Sequence, residues 1–515
     1  MGGHRGDHRL YRRARGQRRR AGCLGGARRR LPGRAAHLRP VHDRPAAQAA
    51  ATSARRRRRR CPRLSAPRLR APSRPSPCPG ISPARPPPPS TTATKRPVRS
   101  YLPFIAENLR FLAFGALAAF FSSFGQTFFI ALFGGVWRAD FGLSHGGYGA
   151  IYSAATLASG ACLIWLGRKI DRVDLRRYTV LVCLGLTAAC LFTAVVPSGW
   201  LLLPAFFALR LTGQGLMSHV STVAMARYFN ATRGKAISLA SLGYPLGEAL
   251  LPAIAVMLIA ALGWRLSWGV FGGLLLVGLV PLMLWLLRGH GAREQARRDD
   301  AAAAAARRDD RSWSLRQVLR DPVFYPLILC MLAPPFIITG LFFHQVHLAE
   351  TKGWSLQWLA TCFVGFAGAQ VAASLSAGAL ADRTGAVRML PFYLPLLGLA
   401  ALVLALFDHP GAAAAYLVLA GLTAGSSFIL LGAVFAELYG TGHLGAIRSV
   451  VQACMVFATA GAPALFGWLL DAGIGFAAIA TGCALYVAAA GVLLGLLQPP
   501  LRARAAEQTA AGASG

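Results

Sequence analysis

The chain has 515 residues, of which 55% belong to the hydrophobic set and 14% are charged, with a mean hydropathy of +0.46. That balance excludes an ordinary soluble enzyme, in which apolar and charged residues are closer to parity. The formal net charge of +36 divides unevenly: residues 1–100 hold 28 of the 55 Lys and Arg with only Asp7 and Asp43, giving +26, and the other 415 residues contribute +10.

Residues 1–97 form the first object. They contain the run Arg55 to Arg60, the block Pro86 to Pro89 and 15 of the 31 prolines, with no hydrophobic period able to bury a core, so this extension is expected to be disordered. No apolar stretch before residue 101 has the length of a signal peptide. A tail for acidic lipid or RNA and a linker to a partner are two readings of the arm. A third is preferred: no Met occurs between Met1 and Met217, and a start assigned too far upstream, with the true start near Val98, would add such sequence. No nucleic-acid partner is expected. The cysteines Cys162, Cys183, Cys190, Cys330, Cys362, Cys454 and Cys483 are scattered through apolar runs without a CxxC pair, so neither a metal site nor a disulfide framework is expected, and no cofactor.

From residue 111 onward, apolar stretches of about 20 residues alternate with short polar ones, the pattern of helices crossing about 30 Å of hydrocarbon. Twelve spans are predicted: 111–134, 147–166, 178–196, 201–225, 237–262, 268–287, 323–347, 356–377, 389–407, 412–436, 450–470 and 476–497. The loops after even-numbered spans carry Arg168, Lys169, Arg172, Arg176, Arg177 and nine arginines from Arg288 to Arg320, whereas the opposite side has Arg138, Arg265 and Lys352. The positive-inside rule then places both termini in the cytoplasm, with the chain in a cytoplasmic (inner) membrane. A bundle of residues 98–287, a solvated central loop of 288–322, a second bundle of 323–498 and a tail of 499–515 follow.

Sliding the chain by 211 residues places Gly142 on Gly353, Ser144 on Ser355, Gly167 on Gly378, Asp171 on Asp382, Arg172 on Arg383, Gly234 on Gly445 and Pro252 on Pro463. A series in topological register implies two homologous six-helix bundles, an all-α membrane architecture that transporters use to alternate access around a midplane site.

Gly167-Arg-Lys-Ile-Asp171-Arg172 after span two, and Gly378-Ala-Leu-Ala-Asp382-Arg383-Thr-Gly385 after span eight, resemble the GxxxDRxG loop of the major facilitator superfamily. The first copy has Asp174 where the later Gly is usual. Glycine at the helix end permits close packing and a left-handed turn, and an acid can receive backbone N–H groups from a neighbouring helix N-terminus. The resemblance implies that Asp171 and Asp382, with Arg172 and Arg383, form a cytoplasmic gate; obedience to the positive-inside rule is the alternative for the arginines beyond the motif. The segments Ala226 to Ala236 and Glu437 to Arg448 look like loops of the monocarboxylate and oxalate/formate branch.

Ionisable groups inside a bilayer are costly, so each is a site candidate. Arg210 lies roughly 14 Å from the outer face on span four, and Glu248 about 17 Å from the inner face on span five, near the same midplane depth. Arg210, in Arg-Leu-Thr-Gly213-Gln214-Gly215, resembles the family's span-four arginine motif with one residue added. Glu248 is expected to accept a proton or pair with Arg210 in one state, freeing Arg210 for an anionic substrate in another; a permanent ion pair is the alternative. Gln126, Tyr244 and Gln370 are candidates to face the cleft, or else to pack between helices. His344 and His347, near the outer end of span seven, are read as interface-facing, with pH sensing the other possibility. Trp264 and Trp354 are expected to anchor the outer surface.

These features together predict a monomeric, proton-coupled secondary transporter of a small solute, with an organic anion such as a monocarboxylate as the leading substrate. Drug or metabolite efflux is the transport alternative. No Walker-type loop occurs to couple ATP, and no nucleophile and base or HExxH set supports an intramembrane enzyme. A non-transporting sensor would have only the arm and central loop for signalling.

Overall fold

The computed structural model describes residues 101–513 except for 172, 230–231, 290, 292–312 and 441–442, with the side chains of Tyr101, Asp171 and residues 509–513 also outside the described set. The expectations for residues 1–97, for Arg172 and for most of the central loop therefore lie outside the described residues.

Among the described residues, eleven helical stretches are long and apolar enough to cross a bilayer. One of them, Arg233–Leu286, runs 54 residues, about 81 Å at 1.5 Å per residue, against a hydrocarbon core of about 30 Å. Gly263 breaks it with φ 73° and ψ 167°, a backbone conformation that a Cβ forbids. Two crossings result, and twelve in all. They are α1 (Tyr101–Phe121), α2 (His145–Arg168), α3 (Leu175–Ala194), α4 (Gly199–Tyr228), α5 (233–262), α6 (264–286), α7 (Phe324–Phe343), α8 (Leu356–Thr384), α9 (Ala386–Leu406), α10 (Pro410–Tyr439), α11 (Leu444–Asp471) and α12 (Phe476–Ala513). Large apolar side chains point outward along them, including Trp165 at 78% and Trp200 at 80% exposure, as a lipid-facing surface requires.

The 211-residue repeat is a repeat of local structure. Gly142 and Gly353 both take positive φ, 61° and 67°, at matching turns. Two residues later, Ser144 and Ser355 accept the N–H groups of Gly147 and Trp358 at 3.0 and 3.1 Å, capping α2 and α8. Pro252 and Pro463 sit inside α5 and α11. The two six-helix bundles meet where α2 packs along α11 and the helix Gly243–Leu274 packs along α8.

Several boundaries differ from expectation, each for a local reason. The first span begins at Tyr101, ten residues earlier than predicted, and is interrupted by a tight turn at Ser122–Gly125 and the extended Gln126 before the chain continues through Thr127–Ile130 to Gly134–Phe141. The central loop was expected to remain solvated to residue 322, yet Trp313 donates its backbone N–H to Tyr439 and Ser314 forms a capping box with Gln317. Asp321 is 3% exposed and accepts from the Tyr439 hydroxyl at 2.9 Å and from Arg504. That ion pair also explains why α12 continues past the predicted end at 497: Leu501 is fully buried and Arg504 has a partner. Trp264 and Trp354 are buried rather than surface anchors, because their indole N–H groups donate to the Asp140 carboxylate and the Asp408 carbonyl at 2.7 and 2.6 Å.

Candidate functional site

Close helix contact builds the site. At the break in α1, a Cβ on Gly125 would lie 2.3 Å from the Leu209 carbonyl, and one on Gly213 would lie 2.6 Å from the Gly125 nitrogen, so α1 and α4 touch backbone to backbone. Gly243 and Gly247 bring α5 equally close to α1, at the Ala116 carbonyl and Ser123. Opposite them, Gly421 and Gly425 bring α10 against the Phe366 and Gln370 carbonyls of α8. Residues 210–217 of α4 form a π-helical stretch, which absorbs one extra residue per turn. The wider turn re-aims the side chains on either side.

Between the bundles these contacts leave a cavity of about 240 Å³. Three of the predicted residues line it together: Gln126, at the extended break in α1; Glu248, on α5; and Gln370, on α8. Glu248 Oε2 and Gln370 Oε1 are buried without a hydrogen-bond partner. Thr127, Gln214, Thr339, Ser427 and Thr459 add polar edges, while Phe128, Phe342, Phe366 and Phe428 supply an apolar wall. No Lys, Arg or His is among these lining residues.

Arg210 and Tyr244 stand behind the wall. The Arg210 side chain is 4% exposed, donates weakly from Nη1 to the Gly125 carbonyl and Thr127 Oγ1, both at 3.4 Å, and lies over the Tyr152 ring at 5.2 Å. The Tyr152 hydroxyl and Thr127 Oγ1 share a 2.8 Å hydrogen bond. The structure does not join Arg210 to Glu248 in an ion pair; Thr127 stands between the guanidinium and the cavity as a shared partner. Tyr244, one turn before Glu248, turns its hydroxyl toward Ser218 and Thr222.

The loop motifs are separated from the cavity. Gly167 packs on His219, whose Nε2 bonds its carbonyl at 3.1 Å. Gly378 lies within α8, and Asp382 and Arg383 are exposed at its end. Gly385 turns the chain with φ 87°. The acid that receives the α9 N-terminus is Glu437, not Asp382: its Oε2 accepts from Ala386 and Val387 at 2.7 and 3.3 Å. Arg172 and the Asp171 side chain lie outside the described residues. Sequence reasoning gave no role to Thr127, Thr459 or Glu437. Thr459 carried a signal, since it stands 211 residues after Glu248.

The far end of the cavity, toward the Gly142 and Gly353 turns, is closed by hydrogen bonds between the bundles. Gln345 Nε2 donates to the Phe128 carbonyl at 2.7 Å, and the Asp471 carboxylate accepts the N–H groups of His145 and Gly146 at 3.0 and 2.8 Å. His344, expected to face the interface, is 4% exposed with Nε2 at 3.0 Å from the Pro463 carbonyl.

The sequence profile of the Major Facilitator Superfamily matches residues 115–447 and 345–514. The chain belongs to this superfamily. It is therefore a membrane transporter of a small solute rather than an enzyme. Among curated proteins, none matches it. Two solved structures of a bacterial homologue of the human lysosomal transporter Spinster share the superfamily fold. The inward-facing, occupied form aligns at TM-score 0.54 and 16% identity over 79% of this chain and 97% of that one. The inward-facing, unoccupied form aligns at 0.56 and 14% over 79% and 98%.

Proposed function

We propose that this transporter couples a small organic anion, with monocarboxylates the leading class, to protons through Glu248. The supporting observation is a carboxylate on the cavity wall with one buried oxygen unpartnered, while Arg210 is held behind Thr127 and does not neutralise it. A buried charge without a counter-charge is costly, so Glu248 exchanges a proton as its surroundings change. With Glu248 protonated, Arg210 leaves the site with one net positive charge, which an arriving anion cancels. Proton and anion then cross together. The Gln126 and Gln370 amides orient the carboxylate end, and the phenylalanines hold the apolar body.

The positive-inside distribution supports placing both termini in the cytoplasm of a cell with an inner membrane. The closed Gly142 and Gly353 end then faces outward, and Asp382 and Arg383 belong with Gly167, Asp171, Arg172, Gly378 and Gly385 to the cytoplasmic gate. One observation favours a second reading, efflux of a cationic drug: the cavity wall has four phenylalanines and no basic residue.

Internal pH in proteoliposomes, on adding monocarboxylates, dicarboxylates, sugars and cationic drugs, separates the two, with protein-free vesicles as the baseline for unaided permeation. Protein-dependent proton entry with one anion class, lost in Glu248→Gln, is expected. Silence with every anion and a response to cationic drugs would transfer the assignment to efflux.

A further inference from the structure

Three histidines meet at the closed end. His145 begins α2 of the first bundle, and His344 and His347 follow α7 of the second. The His145 ring lies 4.1 Å from that of His347 and 6.0 Å from that of His344, centroid to centroid. Arg138 Nη1 is 2.9 Å from His145 Nε2. A guanidinium has only donors, so Nε2 must accept, and the His145 ring is neutral in this state with its proton on Nδ1. That Nδ1 is buried and has no partner.

The space among Arg138, His145, Tyr148, His344 and His347 is about 10 Å³, at the lower limit for one water molecule. His145 is half-buried and the His347 side chain is 31% exposed, so solvent screens a second positive charge there only in part. Two carboxylates face the cluster, and neither accepts a hydrogen bond from the His145 ring. Asp471, at the end of α11, accepts the backbone N–H groups of His145 and Gly146, one on each oxygen. Glu350 is 3.6 Å from His347 Nδ1 on the exposed edge. A proton on His145 would turn the acceptor facing Arg138 into a donor carrying like charge, at the residue whose backbone holds the bundles together.

We propose that this seam is a proton-sensitive latch: it closes only while His145 is neutral, and protonation from that face shifts the carrier toward the state open there. The latch is separate from Glu248 and does not depend on which solute is carried. His347 and His344 set the threshold, because each cation added beside His145 opposes its closure against Arg138.

The seam supplies its own reporter. A Cβ on Gly135 of the first bundle lies 3.9 Å from Cβ of Val346 in the second, within disulfide range. In the full chain carrying Gly135→Cys and Val346→Cys, disulfide formation with diamide is followed at pH 5 and pH 7.5, with and without His145→Gln. Thiol chemistry is common to both chains, so their ratio reports closure. The parent is expected to lose at least threefold more cross-linking at pH 5 than the His145→Gln chain. Equal losses would overturn the proposal. The comparison is repeated in Glu248→Gln, where the difference must persist; its disappearance would assign the pH response to the cavity and also overturn the latch, whereas failed proton coupling with an intact latch would sink only the transport reading. If His145→Gln does not fold, Arg138→Gln removes the opposing charge and must flatten the same ratio.

Discussion

Arg210 rests on the face of Tyr152, with the guanidinium carbon 5.2 Å from the ring centroid, and leaves Glu248 to itself on the cavity wall. The two groups are thus kept apart by a hydroxyl and a ring. A permanent ion pair would have held the site neutral in every state; this arrangement lets its net charge change with one proton.

Glu248→Gln keeps the shape of the side chain but cannot exchange a proton. Accumulation driven by a pH gradient is expected to fall at least about tenfold, the effect of ~1.4 kcal/mol, while exchange of labelled for unlabelled substrate continues. Unchanged pH-driven accumulation would remove Glu248 from the coupling step.

Tyr152→Phe keeps the ring under Arg210 but removes the hydrogen bond to Thr127. A loss of about 1 kcal/mol is expected. Tyr152→Leu removes the cation–π contact as well, which adds about 0.5–2 kcal/mol. Thermal unfolding in detergent, comparing the two variants, checks the order.

Gly125→Ala and Gly213→Ala place a methyl against backbone that cannot step aside, 2.3 and 2.6 Å away. Separating α1 from α4 is expected to cost about 1–3 kcal/mol and to lower transport, since Gln126 and Thr127 stand on that contact. Gly269→Ala, inside α6 where nothing lies within 4 Å, should leave transport unchanged and should not lower the unfolding temperature.

Ser144→Ala and Ser355→Ala remove the two matched caps. Each is expected to cost about 1 kcal/mol, and because the caps lie in different bundles with no shared partner the double variant should show their sum. Unfolding midpoints of the three chains test this.

Burial, followed by the Arg138 guanidinium, holds the His347 imidazole below its usual range. A group whose value is depressed in the closed state favours closure above its ordinary value, about 6.5, and withdraws that support as pH falls through the lowered one. His347→Gln should therefore move the pH at which the seam opens downward, measured by cross-linking of the Gly135→Cys and Val346→Cys pair across a pH series.

Span count, the repeat and the family were legible along the chain because each rests on a one-dimensional signal. Bilayer thickness imposes a run of about 20 apolar residues, and duplicated turns require glycine and serine at a fixed offset, as Gly142, Gly353, Ser144 and Ser355 show. Glu248 stood out as an ionisable group placed by the constant rise of its helix, and Gln126 and Gln370 as polar residues within apolar spans; the three line one cavity.

Direction around the helix axis was decided only in three dimensions. Depth leaves the azimuth of a side chain open, and the π-helical stretch from Arg210 to Met217 changes that azimuth by inserting one residue. Arg210 consequently turns to Tyr152 instead of Glu248, a pairing that no spacing announces because the partners come from α2 and α4. Glu437 and Asp471 find their helix N-termini 50 and 326 residues away for the same reason. Composition and periodicity determined that the chain spans a membrane twice six times; close approach of glycine backbones determined which polar groups face one another, because contact energies act over a few ångströms of space rather than along the chain.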